Sequence, residues 1–172
     1  MTRTGLGIGV LVLITVVALI AMRRGWSRRA RWSESALPNL PEVPVERGPI
    51  RFGPVEATYL SSTLAGRPLE RLAVHGLGMR SPAAVEVDDA GVLVRRTGSA
   101  DLYLPASAVL HVTLAAGIAG TAVGRARLVL IGWQAGETVV ETGLLPRHDG
   151  DRADLIEAVR AVMTDRSRED SR

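Results

Sequence analysis

"SPAAVEVDDAGVLVRRTGSADLYLP", from Ser81 to Pro105, decides the fold. Ala83–Val87 reads as a strand. Asp88-Asp89-Ala90-Gly91 then supplies turn chemistry, since aspartate hydrogen-bonds its own backbone and glycine tolerates positive φ. Val92–Arg96 reads as the returning strand, and Thr97–Ala100 turns the chain again into "DLYLP". The same rhythm extends in both directions, with "VEATYLSSTL" from Val55 on one side. On the other lie "AVLHVTLA", "RLVLIGW", the turn Gln134–Glu137 and "TVVETGLL". Short apolar runs at roughly 8–12-residue spacing, separated by Gly and Asp turns, predict an antiparallel sandwich or barrel.

After Asp149 the period changes. Leu155, Ile156, Val159, Val162 and Met163 fall on one face of a helix spanning 149–165, with Arg152, Glu157 and Arg160 opposite. Asp149 or Asp151 caps its start. The expected fold is mainly β: a PH-like antiparallel barrel or sandwich of about six to seven strands, closed by the C-terminal helix. "YLSSTLAGRPLERLAVHGLGMRSPAAVEV", "LAAGIAG", "GWQAGE" and "TGL" resemble the PH-like domain of small, single-span actinobacterial membrane proteins. The resemblance covers roughly Thr58 to Met163. It implies the fold and a membrane location, and brings no defined ligand or activity.

The first residues have a different character. From Leu6 to Met22 the chain carries no charge, about 26 Å of helix against a hydrocarbon core of roughly 30 Å. Arg23, Arg24, Trp26, Arg28, Arg29, Arg31 and Trp32 follow at once. A secretory signal would need a basic n-region and a small-x-small cleavage site. Here Arg3 is the only early side-chain charge and Ala18–Met22 offers no good site, so residues 1–22 are expected to be a transmembrane anchor. Five arginines after the span against one before it put the N-terminus outside and the rest in the cytoplasm. The two tryptophans suit the headgroup layer. The expected organisation is anchor 1–22, a basic and then proline-rich linker 23–54, a PH-like domain 55–165 and a charged tail 166–172.

Charge excludes one function class. The net charge is +3, but residues 1–32 hold six arginines and no acid. Residues 33–172 hold fifteen arginines against eighteen acids, a balance of −3. A nucleic-acid binder would carry its basic stripe on the folded part. No nucleic-acid partner is expected.

Catalytic chemistry finds no foothold either. There is no cysteine, hence no thiolate metal site or nucleophile. His75, His111 and His148 are too scattered for a local metal motif, and His111 in its apolar strand reads as structural. Asp88-Asp89 is a carboxylate pair in a turn, where aspartate serves the backbone. "HGLGMRS" (His75–Ser81) resembles a phosphate loop, but Pro82 and the strand after it deny the required helix. Catalytic residues, metal ligands and cofactors are all expected to be absent, and the chain is not expected to be an enzyme.

Two functional classes remain. The first is an interaction or scaffold module at the cytoplasmic membrane face, held to the bilayer by its helix and binding a protein partner. Its candidate surface is the uncharged loop Ala115–Gly124, with Gly117, Ile118, Gly120 and Val123; the alternative is that this loop lies on the domain's own core. The second class is anionic headgroup or small-ligand binding through Arg67, Arg71, Arg80, Arg95 and Arg96, which would have to converge on one concave site.

Overall fold

The computed structural model describes residues 12–23, 37 and 39–169. Helix α1 (residues 12–23) is exposed throughout. Strands β1 (Ile50–Leu64), β2 (Arg67–Arg71), β3 (Ser81–Asp88), β4 (Gly91–Arg96) and β5 (Leu102–Pro105) follow. A 3-10 turn at Ala106–Ala108 leads into β6 (Val109–Ala115). Then come β7 (Gly117–Ile118), β8 (Thr121–Ala122), β9 (Leu128–Ala135), β10 (Thr138–Pro146) and helix α2 (Gly150–Glu169).

Seven strands lie side by side in the order β5-β4-β3-β1-β10-β9-β6, with β2 attached to β1 off this path. All their pairings are antiparallel. The fifteen-residue β1 organises the sheet. Ile50–Tyr59 pairs with β3, and Ala57–Leu64 pairs with β10. Register shifts at Ile50/Phe52, Phe52/Val55 and Tyr59/Ser61 mark bulges, which bend a strand and raise its twist.

The sheet does not close, and this corrects the expected barrel. Among the described residues, β5 pairs only with β4 and β6 only with β9. Their connection is a single 3-10 turn, so the chain rounds a corner instead of laying the two strands together. Helix α2 packs against β6, that turn, β1, β3, β4 and β10. Leu155, Ile156, Val159 and Val162 are buried there, and Met163 packs partly against them. Each such burial is worth roughly 1.5–3 kcal/mol. The helix also runs to Glu169, past the expected end at Asp165. Arginine and glutamate are good helix formers, so the first part of the expected tail continues the helix.

The domain begins earlier than Val55. β1 starts at Ile50, and Leu37, 1% exposed, belongs to the core. His75 Nε2 lies 3.0 Å from the Leu37 carbonyl. Arg47 donates to Asp88 at 3.1 Å and Glu86 at 3.3 Å, both carboxylates being buried. Residues 39–49 therefore form a docked strap, although they make no helix or strand. Proline deprives a segment of backbone donors, but one leucine and one arginine are enough to fasten it.

Residues 1–11 and 24–36 lie outside the described residues. With them lie half of the expected anchor and Arg24, Trp26, Arg28, Arg29, Arg31 and Trp32; Arg23 ends α1. Among the described residues, no helix is long and apolar enough to cross a membrane.

Candidate functional site

The polar centre of the domain is structural. Trp133 Nε1 donates to Thr142 Oγ1 at 3.0 Å, and Thr142 meets Ser62 Oγ at 2.8 Å. Ser62 meets Tyr59 OH at 2.8 Å, and Tyr59 donates to the Leu77 carbonyl at 2.7 Å. One direction of donation, from indole to carbonyl, satisfies every member of this buried chain. Arg96 lies 4.9 Å from the Tyr59 ring centroid and donates to the carbonyls of His75, Gly76 and Ala100. The glycine loop His75–Ser81 is thus held through its carbonyls, whereas a phosphate cradle would present N–H groups.

The acids and the remaining histidines are placed as follows. Asp88 accepts the N–H groups of Ala90 and Gly91 at 2.9 Å each, closing the turn, while Asp89 pairs with Arg51. The two carboxylates serve different partners. His111 is not buried: its ring lies over Gly132 on the outer face, half exposed, 3.9 Å from Glu141. A Cβ on Gly132 would collide with the ring. His148 is exposed. No group of three or more metal-binding side chains occurs among the described residues.

The loop Ala115–Gly124 is a flap folded back on the sheet. β7 pairs with β8, and Ile118 and Ala119 are buried with Leu60 and Leu128 in a second, smaller core. Val123 packs partly against it, Gly117 is half-buried, and Gly120 is exposed at the tip. Ala119 donates its N–H to the Pro68 carbonyl at 2.8 Å. Gly143 of β10 makes the seat possible, because a Cβ there would come within 2.9 Å of Ile118. Ile118 is therefore internal, and the loop does not offer it as an open apolar patch.

The sheet's free edges differ. β5 has four residues, three of them buried. β2, wholly exposed, reads Arg-Pro-Leu-Glu-Arg, a charged, proline-bearing edge of the kind that resists pairing. β6 has seven residues, and His111 is its only titratable one. Arg160 reaches the Val112 carbonyl at 3.5 Å, placing it on the free edge. Leu114, two residues on, turns its main-chain groups the same way. Leu110 and Leu114 are 48% and 45% exposed. Between β6 and α2 runs a groove of about 550 Å³, lined by Thr113, Leu114, Ala153, Ile156, Glu157 and Arg160.

The five arginines singled out in the sequence do not converge. Arg67 pairs with Glu70, and Arg71 is bound to the flap at Ala119 and Thr121. Arg80 is exposed. Only Arg95 and Arg96 share a site, and they share it with Arg127 and Arg147, which sequence reasoning missed. These four line a groove of about 790 Å³ on the sheet, with Glu56 as its only acid. Register explains the gathering. Arg95 faces Ala84, Ala84 faces Glu56, and the Arg147 N–H bonds to the Glu56 carbonyl. That row crosses four strands, and no spacing rule in the sequence contains it.

An open, bent antiparallel sheet with a C-terminal helix packed against it defines a PH-like domain. The family described as Bacterial PH domain-like matches residues 37–160. The chain belongs to that family. The match begins at Leu37, which belongs to the core. Among curated proteins, no relative matches the chain.

Proposed function

We propose that the chain is a single-pass, membrane-anchored, non-enzymatic interaction module that receives an extended segment of a protein partner at the β6 edge. The observation that carries this reading is β6 itself. Among the described edge strands it alone is long, free of arginine and acid, and flanked by a groove that the half-exposed Leu114 lines. Strand addition to such an edge gains main-chain hydrogen bonds, and the groove beside it selects side chains. The family supports an interaction role, whether toward protein or lipid. The scattering of Arg67, Arg71 and Arg80 favours protein.

Anchoring rests on the apolar run and on α1. Val12, Leu13, Val17, Leu19 and Met22 are all more than half exposed on this helix, and a helix apolar on every side is suited to lipid. The arginine bias after the apolar run supports a cytoplasmic position for the PH-like domain. A photo-crosslinking amino acid at Leu114 of the full-length protein, activated in intact membranes, tests the reading. Discrete protein adducts are expected from position 114 and none from position 137, in the β9–β10 turn. Adducts to lipid alone, or equal labelling from both positions, would refute it.

A further inference from the structure

We infer that the arginine-lined groove over β4, β3, β1 and β10 is a second binding surface, fitted to an extended acidic peptide segment. The charge is concentrated against the trend of the domain. Residues 33–172 carry an excess of acid, yet four arginines and one glutamate line this groove. Its floor is low and weakly polar, formed by Ala84, Pro82, Thr58 and Leu145. Arg95 stands on one rim and Arg147 on the other, about 14 Å apart at three strand spacings. Opposed rims over a narrow floor suit a chain that runs along the groove and sends acids to both sides. A single tetrahedral oxyanion would need guanidinium groups gathered at one point.

The arginines are already matched to carboxylates. Arg95 meets Glu86 at 2.8 Å, Arg127 meets Asp149 at 3.3 Å, and Arg147 meets Glu56 at 2.5 Å. Glu86 is buried and also held by Arg47, so Arg95 has a fixed orientation. Asp149 and Glu56 are 76% and 71% exposed. Exposed pairs of this kind contribute little, so a carboxylate on a ligand can replace either one at small cost. Burial of the ligand's stems against the floor then adds net attraction. Arg96 turns its guanidinium inward, over Tyr59 and onto three backbone carbonyls, so the outward charges of the groove are those of Arg95, Arg127 and Arg147.

Full-length protein in detergent micelles, titrated into fluorescein-labelled pentaglutamate, tests this by fluorescence anisotropy. Binding is expected, weakening strongly between about 50 and 500 mM salt as charges are screened. Arg127→Ala and Arg147→Ala should each lower affinity about tenfold, the size of one charge-assisted contact. Their partners are exposed, so the folding transition should not move. Arg67→Ala and Arg80→Ala, away from the groove, should leave affinity unchanged. The double variant Arg127→Glu/Arg147→Glu should instead prefer pentalysine. Absence of pentaglutamate binding, or binding indifferent to positions 127 and 147, overturns the proposal. So does complete displacement by millimolar inorganic phosphate, which would reveal a convergent oxyanion pocket.

Discussion

The chain's two tyrosines report on the two sides of the sheet. Tyr59 lies in the main core and Tyr103 on the opposite face, opposite Leu93. Burial pushes both phenols up to about 12, aided at Tyr103 by the negative charge of Asp88. A tyrosine in an unfolded chain ionises near 10. The folded state therefore holds these protons more tightly. The resulting stability is complete below about pH 10 and is lost as pH rises through about 12. Tyrosinate absorbance of the native protein should stay flat through pH 10 and rise near 12, whereas in denaturant it should rise near 10. A native step at 10 would mean that one ring is open to water. Neither ring's surroundings were legible from its neighbours, since "TYLS" and "LYLP" could each turn the ring to either side.

Single elements act here as covers. The β7–β8 flap seals a small core of its own, so Ile118→Ser should lower the unfolding free energy by about 2–4 kcal/mol, as for other buried aliphatic truncations. It should also speed hydrogen exchange at Ala119 and Val123, whose N–H groups bond to Pro68 and Ala116. Unchanged stability and exchange would show that Ile118 does not hold the flap down. The loop's lack of charge was plain in the sequence, and both a core-covering and an exposed reading were consistent with it. The choice depended on Gly143, twenty-five residues from Ile118 in the chain, which gives the flap room to sit. α2 was far more legible. Its apolar face is written within one helix at a period of 3.6, and Leu155, Ile156, Val159 and Val162 of that face are buried, with Met163 packed partly against them.

At the scale of the whole molecule, the strap changes what the linker is. From Arg23 to Leu37 there are fourteen residue steps, at most about 50 Å when fully extended. With the residues before Arg23 in a bilayer, as proposed, the domain stays within that distance of the membrane, and its β6 edge searches a thin layer. The proposed orientation predicts that a fluorescent protein fused after Arg172 is bright and that an alkaline phosphatase fused there is inactive. The reverse pattern would invert the topology and place the β6 edge outside the cytoplasm.

Sequence by itself determined what depends on near neighbours. Turn residues at Asp88–Gly91, strand alternation, the helical stripe from Leu155 to Met163 and the apolar run against the arginines all act over a few residues. They were enough for a mainly β, PH-like fold with a C-terminal helix. Tertiary structure decided whatever depends on which strands lie together. It left the sheet open, with β5 and β6 each paired on one side and joined by a 3-10 turn. It drew Leu37 into the core and turned Ile118 inward. It also collected Arg95, Arg127 and Arg147 from three distant segments into one groove. The reason is physical: cross-strand register and packing join residues tens of positions apart, and no local period encodes that pairing.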